Sequence, residues 1–277
     1  MLDTTLKIAT LTDTIIGIII AIQNMRIPEK NLLSPSLFLC ILVFIVLILL
    51  FVIRSDNSKK YSLIKFISYW FRRGSENYYV REREMIYNYH SLTSFTYEKK
   101  MVLVSRGSFK NYTGRWRWSK PQKIDEFDKE CTCSTGQRGL VQWGQRESWY
   151  TYTVNFDPLP KGSEQTVTLK LKKLDNSDNL AQPYLKADII EHTERLSFKI
   201  QLPKDLTFDF DKLRLTVYHE SSQNPFLLET FHRNQHKLFV YDERNNIMTV
   251  SIDHPIYGYN YVFDFPGLKP AKVETLA

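Results

Sequence analysis

A long apolar run near the start of the chain constrains the fold more than any other feature. Residues 37–53, LFLCILVFIVLILLFVI, contain no charged side chain, although 24% of the 277 residues are charged and the net charge is +7. Extended back to Leu32, the run is about 22 residues long, enough for a helix to cross a hydrocarbon core of about 30 Å. Ser34 followed by Pro35 is typical of a helix start. The run therefore predicts a transmembrane helix.

A second apolar segment, IATLTDTIIGIIIAIQNM, occupies residues 8–25. Its small and polar residues recur at helical spacing and would form one stripe, made of Thr10, Asp13, Thr14 and Gly17. A carboxylate that faces lipid is costly, so Asp13 is expected to face another helix or water, or to lie near the headgroups. An amphipathic surface helix is a further alternative. The connection to the second span is short, so residues 1–53 predict an antiparallel transmembrane hairpin, and the stripe suggests assembly into a homo-oligomer.

Basic residues follow the second span directly. They are Arg54, Lys59, Lys60, Lys65, Arg72 and Arg73, opposed only by Asp56. By the positive-inside rule, this excess predicts that both termini are cytoplasmic. Residues 54–73 also place apolar side chains on one helical face, which suits a basic juxtamembrane helix lying on anionic lipid. The alternative is an amphipathic helix that packs on the C-terminal domain.

From Gly74 onward the hydrophobic period changes to two, as in half-buried strands. Clear alternation is found in TVTLKLK (166–172), RLSFKIQLP (195–203) and YNYVFDF (259–265). Strands at this density predict an all-β cytoplasmic region over 74–277, an antiparallel sandwich or barrel. It is one continuous domain, or two subdomains that divide near 158–162. Residues 119–147 predict a long polar loop.

No catalytic motif is found in the sequence, which has no glycine-rich phosphate loop, no G-x-S-x-G and no H-E-x-x-H. His232 and His236 have the spacing of metal ligands but lack evident partners, and surface histidines explain them better. Cys131 and Cys133 are too close in sequence to staple a fold, and few cysteines suit a reducing compartment. We therefore predict a protein that is not an enzyme and needs neither metal nor cofactor.

The segment GRWRWSK (114–120) alternates arginine with tryptophan. In a strand, Trp116 and Trp118 would share one face while Arg115 and Arg117 share the other. Aromatic rings stack on bases and arginines bind phosphate, so these four residues are candidates for a nucleotide pocket. The simpler alternative is a strand with tryptophans in the core and solvated arginines. No nucleic-acid polymer is expected as a partner, because most of the excess positive charge comes from residues 54–73.

Two N-terminal spans followed by a β-rich region resemble the two-transmembrane, β-strand-rich effectors of bacterial anti-phage signalling, a group that includes cyclic-oligonucleotide systems. The resemblance is architectural. It implies a protein of the inner membrane whose β domain senses a nucleotide second messenger or a protein, and whose hairpins then oligomerise and disrupt the membrane lipid. The alternative function is a membrane-tethered adaptor, in which the β domain binds a protein partner and the spans only anchor it.

Overall fold

The computed structural model describes residues 61, 64, 65, 77–92, 94–116, 127–134, 141–146, 149–173, 184–219 and 226–271. They belong to one compact unit, Ser55–Ala277. Most of them are in β-strands. Two single turns of 3₁₀-helix, Phe210–Lys212 and Arg233–Gln235, connect strands.

The largest sheet in the described part of the chain has seven strands. In chain order these are β1 (Tyr78–Tyr89), β2 (Phe95–Ser105), β4 (Phe127–Cys133), β7 (Glu164–Lys173), β9 (Thr193–Gln201), β13 (Phe239–Asp242) and β14 (Ile247–Asp253). Their order across the sheet is β13-β14-β9-β1-β2-β7-β4. β1 is therefore the central strand, with three strands on either side of it.

Three smaller sheets accompany the large one within the described residues. The three-stranded sheet, in the order β3-β6-β5, contains β3 (Phe109–Trp116), β5 (Val141–Arg146) and β6 (Trp149–Leu159). The four-stranded sheet, in the order β12-β11-β15-β8, contains β8 (Tyr184–Asp188), β11 (Arg214–His219), β12 (Phe226–His232) and β15 (Asn260–Asp264). The last is a short pair, β10 (Leu206–Thr207) with β16 (Lys269–Pro270).

The prediction of a purely antiparallel sandwich or barrel is wrong in one respect. β1 and β9 pair in parallel, with Val80 opposite Thr193 and Asn88 opposite Gln201. The other pairings of the large sheet are antiparallel. Alternation along a strand tells which residues point inward, but it carries no information about which neighbour the strand will choose or in which direction. The mixed pairing was therefore invisible in the sequence.

Strand alternation builds the core. In β9 the inward residues Leu196, Phe198 and Ile200 are fully buried, and in β15 Tyr261 and Phe263 are likewise buried. A fully buried aliphatic or aromatic side chain stabilises the fold by about 1.5–3 kcal/mol relative to an exposed one. Repeated over the strands of facing sheets, this burial holds the layers together. Residues 158–162, the predicted subdomain division, form the end of β6 and the turn into β7 within the same compact unit.

The prediction of a loop over 119–147 is corrected by β4 and β5, which both lie inside it. β4 buries only Phe127 fully, and its other residues are half-buried or exposed. It forms the edge of the large sheet and is held by backbone pairing with β7 from Phe127↔Lys173 to Cys133↔Val167. An edge strand held in this way needs no apolar alternation, so the polar sequence concealed it.

The predicted fold class, a transmembrane α-helical hairpin followed by an all-β region, is corrected to a set of β-sheets. No helix in the part of the chain that the structure describes is long and apolar enough to cross a lipid bilayer. The hairpin over 1–53, with the stripe of Thr10, Asp13, Thr14 and Gly17, lies outside the described residues. Hydropathy records that a segment avoids water, but apolar runs are covered by protein as well as by lipid, so the pattern alone does not establish a span.

The inner-membrane location, with both termini cytoplasmic, rested on that hairpin and is corrected with it. Among the six basic residues predicted to contact lipid, the structure describes Lys65, and the others lie outside it: Arg54, Lys59, Lys60, Arg72 and Arg73. Near Lys65, helical Tyr61 packs edge-on against Phe231 at 5.3 Å, and helical Ile64 is half-buried against the core. These contacts favour the alternative in which the amphipathic segment packs on the β domain.

Candidate functional site

A cavity of about 480 Å³ lies where three of the sheets meet. Its walls come from β1, β2 and β7 of the seven-stranded sheet, from β3 and β6 of the three-stranded sheet, and from β8 of the four-stranded sheet. Its volume falls within the range of about 300–1,000 Å³ that is common for small-molecule sites. The cavity is open to solvent, because two of the residues that line it, Thr113 and Ile190, are exposed.

Two edge strands flank the cavity. β3 is an edge of its sheet and β8 is an edge of its own. Strand edges carry backbone groups that no neighbouring strand satisfies. Here side-chain cations donate to two of them, because Lys99 Nζ lies 3.5 Å from the carbonyl oxygen of Arg115 and Arg83 donates to the carbonyl oxygen of Asp188 at 2.9 Å. The large sheet thus contributes two cations, which connect it to the three-stranded and the four-stranded sheets.

These two cations occupy inward positions of apolar strands. In β2 the buried inward residues are Phe95, Tyr97, Lys99, Met101 and Leu103. The β1–β2 register places Met85 opposite Lys99 and Arg83 opposite Met101, so Arg83 and Lys99 are diagonal neighbours on one face. Arg83 is 3% exposed and Lys99 is 7% exposed. Because strand neighbours on the same face are close, their like charges interact.

Arg83 has a carboxylate partner. Its guanidinium donates to Glu191 in a buried ion pair. Burial alone would lower the pKa of Arg83, but the adjacent Glu191 outweighs this and raises it, so the guanidinium stays charged. Burial would likewise raise the pKa of Glu191, but Arg83, and secondarily Lys99, keep it below its usual range. The pair therefore holds one full positive and one full negative charge at neutral pH.

Lys99 has no such partner. Among the described residues, no carboxylate lies within 4.0 Å of its amine, and its only hydrogen bond is the long one to Arg115. Burial first, and then the charge of Arg83, lower the pKa of Lys99 to about 7, whereas Glu191 and Asp188 partly counteract them. Lys99 is therefore a buried amine that is only partly protonated near pH 7, and it lines the cavity.

A second cluster of charged residues lies at the mouth of the cavity. Arg115 lies with its guanidinium carbon 4.5 Å from the ring centre of Trp149 and with Nη2 3.6 Å from an Asp188 oxygen. Lys186 Nζ is 3.6 Å from the other oxygen of Asp188. Two cations thus share one carboxylate beside a half-buried indole ring. An arginine that lies over an aromatic ring in this way forms, together with the ring, a surface to which a planar anionic group can bind.

Of the four residues predicted from GRWRWSK, the structure describes two, Arg115 and Trp116, and places them in different environments. Arg115 is partly exposed at the mouth, whereas Trp116 is 5% exposed and stacks on Tyr150 at 4.1 Å, with Phe127 edge-on at 5.0 Å. Trp116 therefore contributes the back of the cavity wall as a core residue. Arg117 and Trp118 lie outside the described residues. The opposite faces of Arg115 and Trp116 match the alternation read from the sequence.

Gly114 allows β3 to pack closely against the ring of Tyr152. A Cβ atom at this position would lie 2.2 Å from Cζ of Tyr152, whose ring is fully buried beneath the strand. We therefore expect Gly114→Ala to lower the free energy of unfolding by about 1–3 kcal/mol through overpacking. Chemical denaturation with Gly107→Ala as the control measures this, because a Cβ at Gly107 meets nothing within 4 Å. Equal losses in the two variants would contradict the close approach.

Sequence reasoning missed most of this site. A signal for Lys99 existed, because FTYEKKMVLVS places a lysine among inward aromatic and aliphatic residues. The same holds for Arg83 in YYVREREMIYNY. No comparable signal marks the other three residues, because Asp188 ends β8, Glu191 follows it and Trp149 begins β6. Their importance depends on what lies across the cavity.

Metal ligation at the histidines or cysteines finds no support in the described ranges. No group of three or more histidine, cysteine or acidic residues that could hold a metal is present there. His232 and His236 flank a single 3₁₀ turn, and both are exposed. Cys131 and Cys133 are free thiols on the edge strand β4, and burial raises the pKa of Cys131 to about 12.

No family model and no curated protein matches the chain. Among solved structures, an M1 zinc metallopeptidase from Deinococcus radiodurans has a TM-score of 0.37 and 10% identity, and it covers 69% of this chain and 43% of its own. A candidate protease from Parabacteroides distasonis has a TM-score of 0.41 and 9% identity, over 70% of this chain and 41% of its own. The chain thus spans less than half of either protein. Similarity this low carries no argument about fold or activity. Neither of these two proteins is an anti-phage effector, and the antiviral assignment, which rested on the hairpin, is not retained.

Proposed function

We propose that the β domain is a sensing module that binds a small anionic compound with a planar ring, of the nucleotide class, in the cavity between β3 and β8. The observation that carries the proposal is the charge balance of the cavity. Four cationic side chains line it, Arg83, Lys99, Arg115 and Lys186, against two carboxylates, Asp188 and Glu191. A site with this excess of positive charge, of which Arg83 and Lys99 are buried, favours an anionic occupant.

The residues at the mouth of the cavity favour a ligand that has a planar ring. Trp149 is half-buried and offers a face that Arg115 already covers from one side. Stacking of a base on an aromatic side chain contributes about 1–3 kcal/mol. A ligand whose ring contacts Trp149 could extend its anionic group inward toward Lys99. The proposal concerns binding, and no catalytic role is assigned to these residues.

The test is a titration of the full chain with adenosine 5′-monophosphate, uridine 5′-monophosphate and phenyl sulfate, followed by calorimetry. We expect Arg115→Glu to weaken binding at least about tenfold, equivalent to about 1.4 kcal/mol, because it reverses the charge at the mouth. The matched control is Arg195→Glu, since Arg195 is also a partly exposed strand arginine with a carboxylate, Asp253, at 3.9 Å. It lies outside the cavity.

Circular dichroism should give the same β spectrum for both variants and the unmodified chain. Equal affinity of the Arg115→Glu and Arg195→Glu variants would exclude Arg115 from the site. Absence of saturable binding by all three compounds would overturn the proposal. It would favour the adaptor alternative, in which the domain binds a protein partner.

A further inference from the structure

The buried charges around Lys99 do not balance. On the inward face of the large sheet, two adjacent strands contribute the diagonal cations Arg83 and Lys99. Among the described residues one carboxylate is buried beside them, Glu191, and Arg83 binds it. Asp188 is shared by Arg115 and Lys186 at the mouth. Every carboxylate of the cavity is thus already engaged by an arginine or by the other lysine, and Lys99 is the cation left over.

The groups around Lys99 come from every element that packs there. From the large sheet and the segment after β8 they are Arg83, Tyr97 and Glu191. From the smaller sheets they are Tyr112, Arg115, Lys186 and Asp188, with Tyr152 packed against Tyr112. The inward β7 residues opposite β2, Leu169 and Leu171, do not ionise. Burial raises the pKa of Tyr97, Tyr112 and Tyr152, so the three phenols stay neutral near pH 7. None of them supplies a negative charge to Lys99.

An anion would correct this imbalance. Without one, burial and Arg83 bring the pKa of Lys99 to about 7, so near neutral pH a large share of the molecules carries a neutral amine there. An opposite charge within about 4–6 Å favours the protonated amine and raises its pKa again. Binding of an anion and protonation of the amine therefore stabilise each other, and each must promote the other by linkage.

We infer that Lys99 is the residue that holds the anionic group of the ligand, and that binding adds one proton to its amine. In the balanced step, the neutral amine, one proton from solvent and the anion combine to give an ammonium ion paired with the anion, and no covalent bond between protein and ligand forms or breaks. This inference rests on the proposed anion-binding function and identifies both its charge partner and its pH dependence.

The sign and size of the effect follow. Below about pH 6 the amine is already protonated, so binding takes up little proton and affinity is highest. Above pH 7 each molecule must first acquire the proton, and the affinity falls. For a group with a pKa of about 7, affinity for an anion of fixed charge should be about 30-fold weaker at pH 8.5 than at pH 6.

The experiment is calorimetric titration of the full chain with phenyl sulfate, whose single negative charge does not change over this range. Titrations at about pH 8 in two buffers of different ionisation enthalpy give the number of protons taken up, and we expect nearly one. The same comparison with adenosine 5′-monophosphate is corrected for the titration of its phosphate. Repeating the series from about pH 6 to 8.5 gives the affinity profile.

Two variants isolate Lys99. Lys99→Arg keeps the positive charge but cannot lose it, so it should bind with no proton uptake at this residue and with an affinity that stays nearly constant with pH. Lys99→Met keeps the length and removes the charge, so it should bind at least tenfold more weakly at pH 6. The three forms differ only at residue 99, so a difference in proton uptake between them is assigned to that residue.

Each outcome decides between the proposals. Equal proton uptake in the unmodified chain and in Lys99→Arg, or unchanged affinity in Lys99→Met, would overturn the inference. If Arg115→Glu still weakened binding in that case, the proposed function would stand. Failure of the unmodified chain to bind any of the three compounds would overturn both. If neither Lys99 variant folds, absence of proton uptake by the unmodified chain at pH 8 is by itself sufficient to reject the role of Lys99.

Discussion

Arg83→Met should lower the free energy of unfolding by about 3–5 kcal/mol, because it leaves the carboxylate of Glu191 buried without its guanidinium. The side chains of Arg83 and Glu191 are 4% and 10% exposed, so water replaces little of the lost interaction. The hydrogen bond from Arg83 to the carbonyl oxygen of Asp188 is lost as well. Urea denaturation of the full chain, followed by fluorescence, measures the change.

The matched control is Arg81→Met. Arg81 belongs to the same strand and pairs with Glu164, but the two side chains are 47% and 44% exposed. Exposed ion pairs contribute about 0–1 kcal/mol, so this variant should be nearly as stable as the unmodified chain. The double variant Arg83→Met with Glu191→Leu should recover much of the loss, because neither member of the ion pair is then left buried without its partner. Similar losses in the Arg81 and Arg83 variants would show that burial does not strengthen the Arg83–Glu191 pair.

Lys99→Met should act in the opposite direction and raise the free energy of unfolding without ligand. In the folded protein the pKa of Lys99 is lowered to about 7, whereas in the unfolded chain it is near the ordinary value of 10.5. Below pH 7 both states carry the proton, and the folded state bears the full cost of a buried, uncompensated charge. A shift of this size corresponds to a stabilisation by the variant on the order of 3–5 kcal/mol at pH 6.

The pH dependence gives the prediction its sign. Between about pH 7 and 10.5 the unfolded chain binds more protons than the folded one, so the stability of the unmodified chain rises with pH through this window. The advantage of Lys99→Met should therefore shrink as pH rises from 6 to about 9. Lys100→Met, at the exposed neighbouring position, is the control and should change stability little. A Lys99→Met variant that is less stable at pH 6 would mean that the amine has a stabilising partner in the folded protein.

The two predictions together describe a site in which one buried cation, Lys99, lowers the free energy of unfolding while the other, Arg83, raises it. Binding sites often keep groups that the fold alone would reject, and removing such a group stabilises the protein at the expense of function. Lys99 fits this description because methionine could fill the same space without a charge. Arg83 does not, because its charge is neutralised by Glu191 and its loss breaks contacts across two sheets. Stability and binding measurements on the same variants therefore distinguish a structural cation from a functional one.

The strands themselves were largely predictable. RLSFKIQLP and YNYVFDF alternate because one face of each strand packs in the core, and that period is local: it needs only residues at i and i+2. The same local rule identifies Lys99 as an inward lysine. β4 was not predicted, because an edge strand that is held by backbone pairing with β7 requires no apolar face. The apolar run 37–53 lies outside the described residues, and its hydropathy alone records avoidance of water without saying whether lipid or protein replaces it.

Residue alternation alone predicts a β-rich chain and the inward and outward faces of its main strands, and it marks Lys99 and Arg83 as cations at inward positions. Which groups those cations contact depends on the packing of distant segments. Glu191 lies 108 residues after Arg83 in the chain and reaches it because β9 pairs in parallel beside β1. Arg115 and Asp188 meet across the edges of two different sheets. Such encounters depend on strand order, which arises from packing of the whole domain, whereas alternation arises from each strand alone.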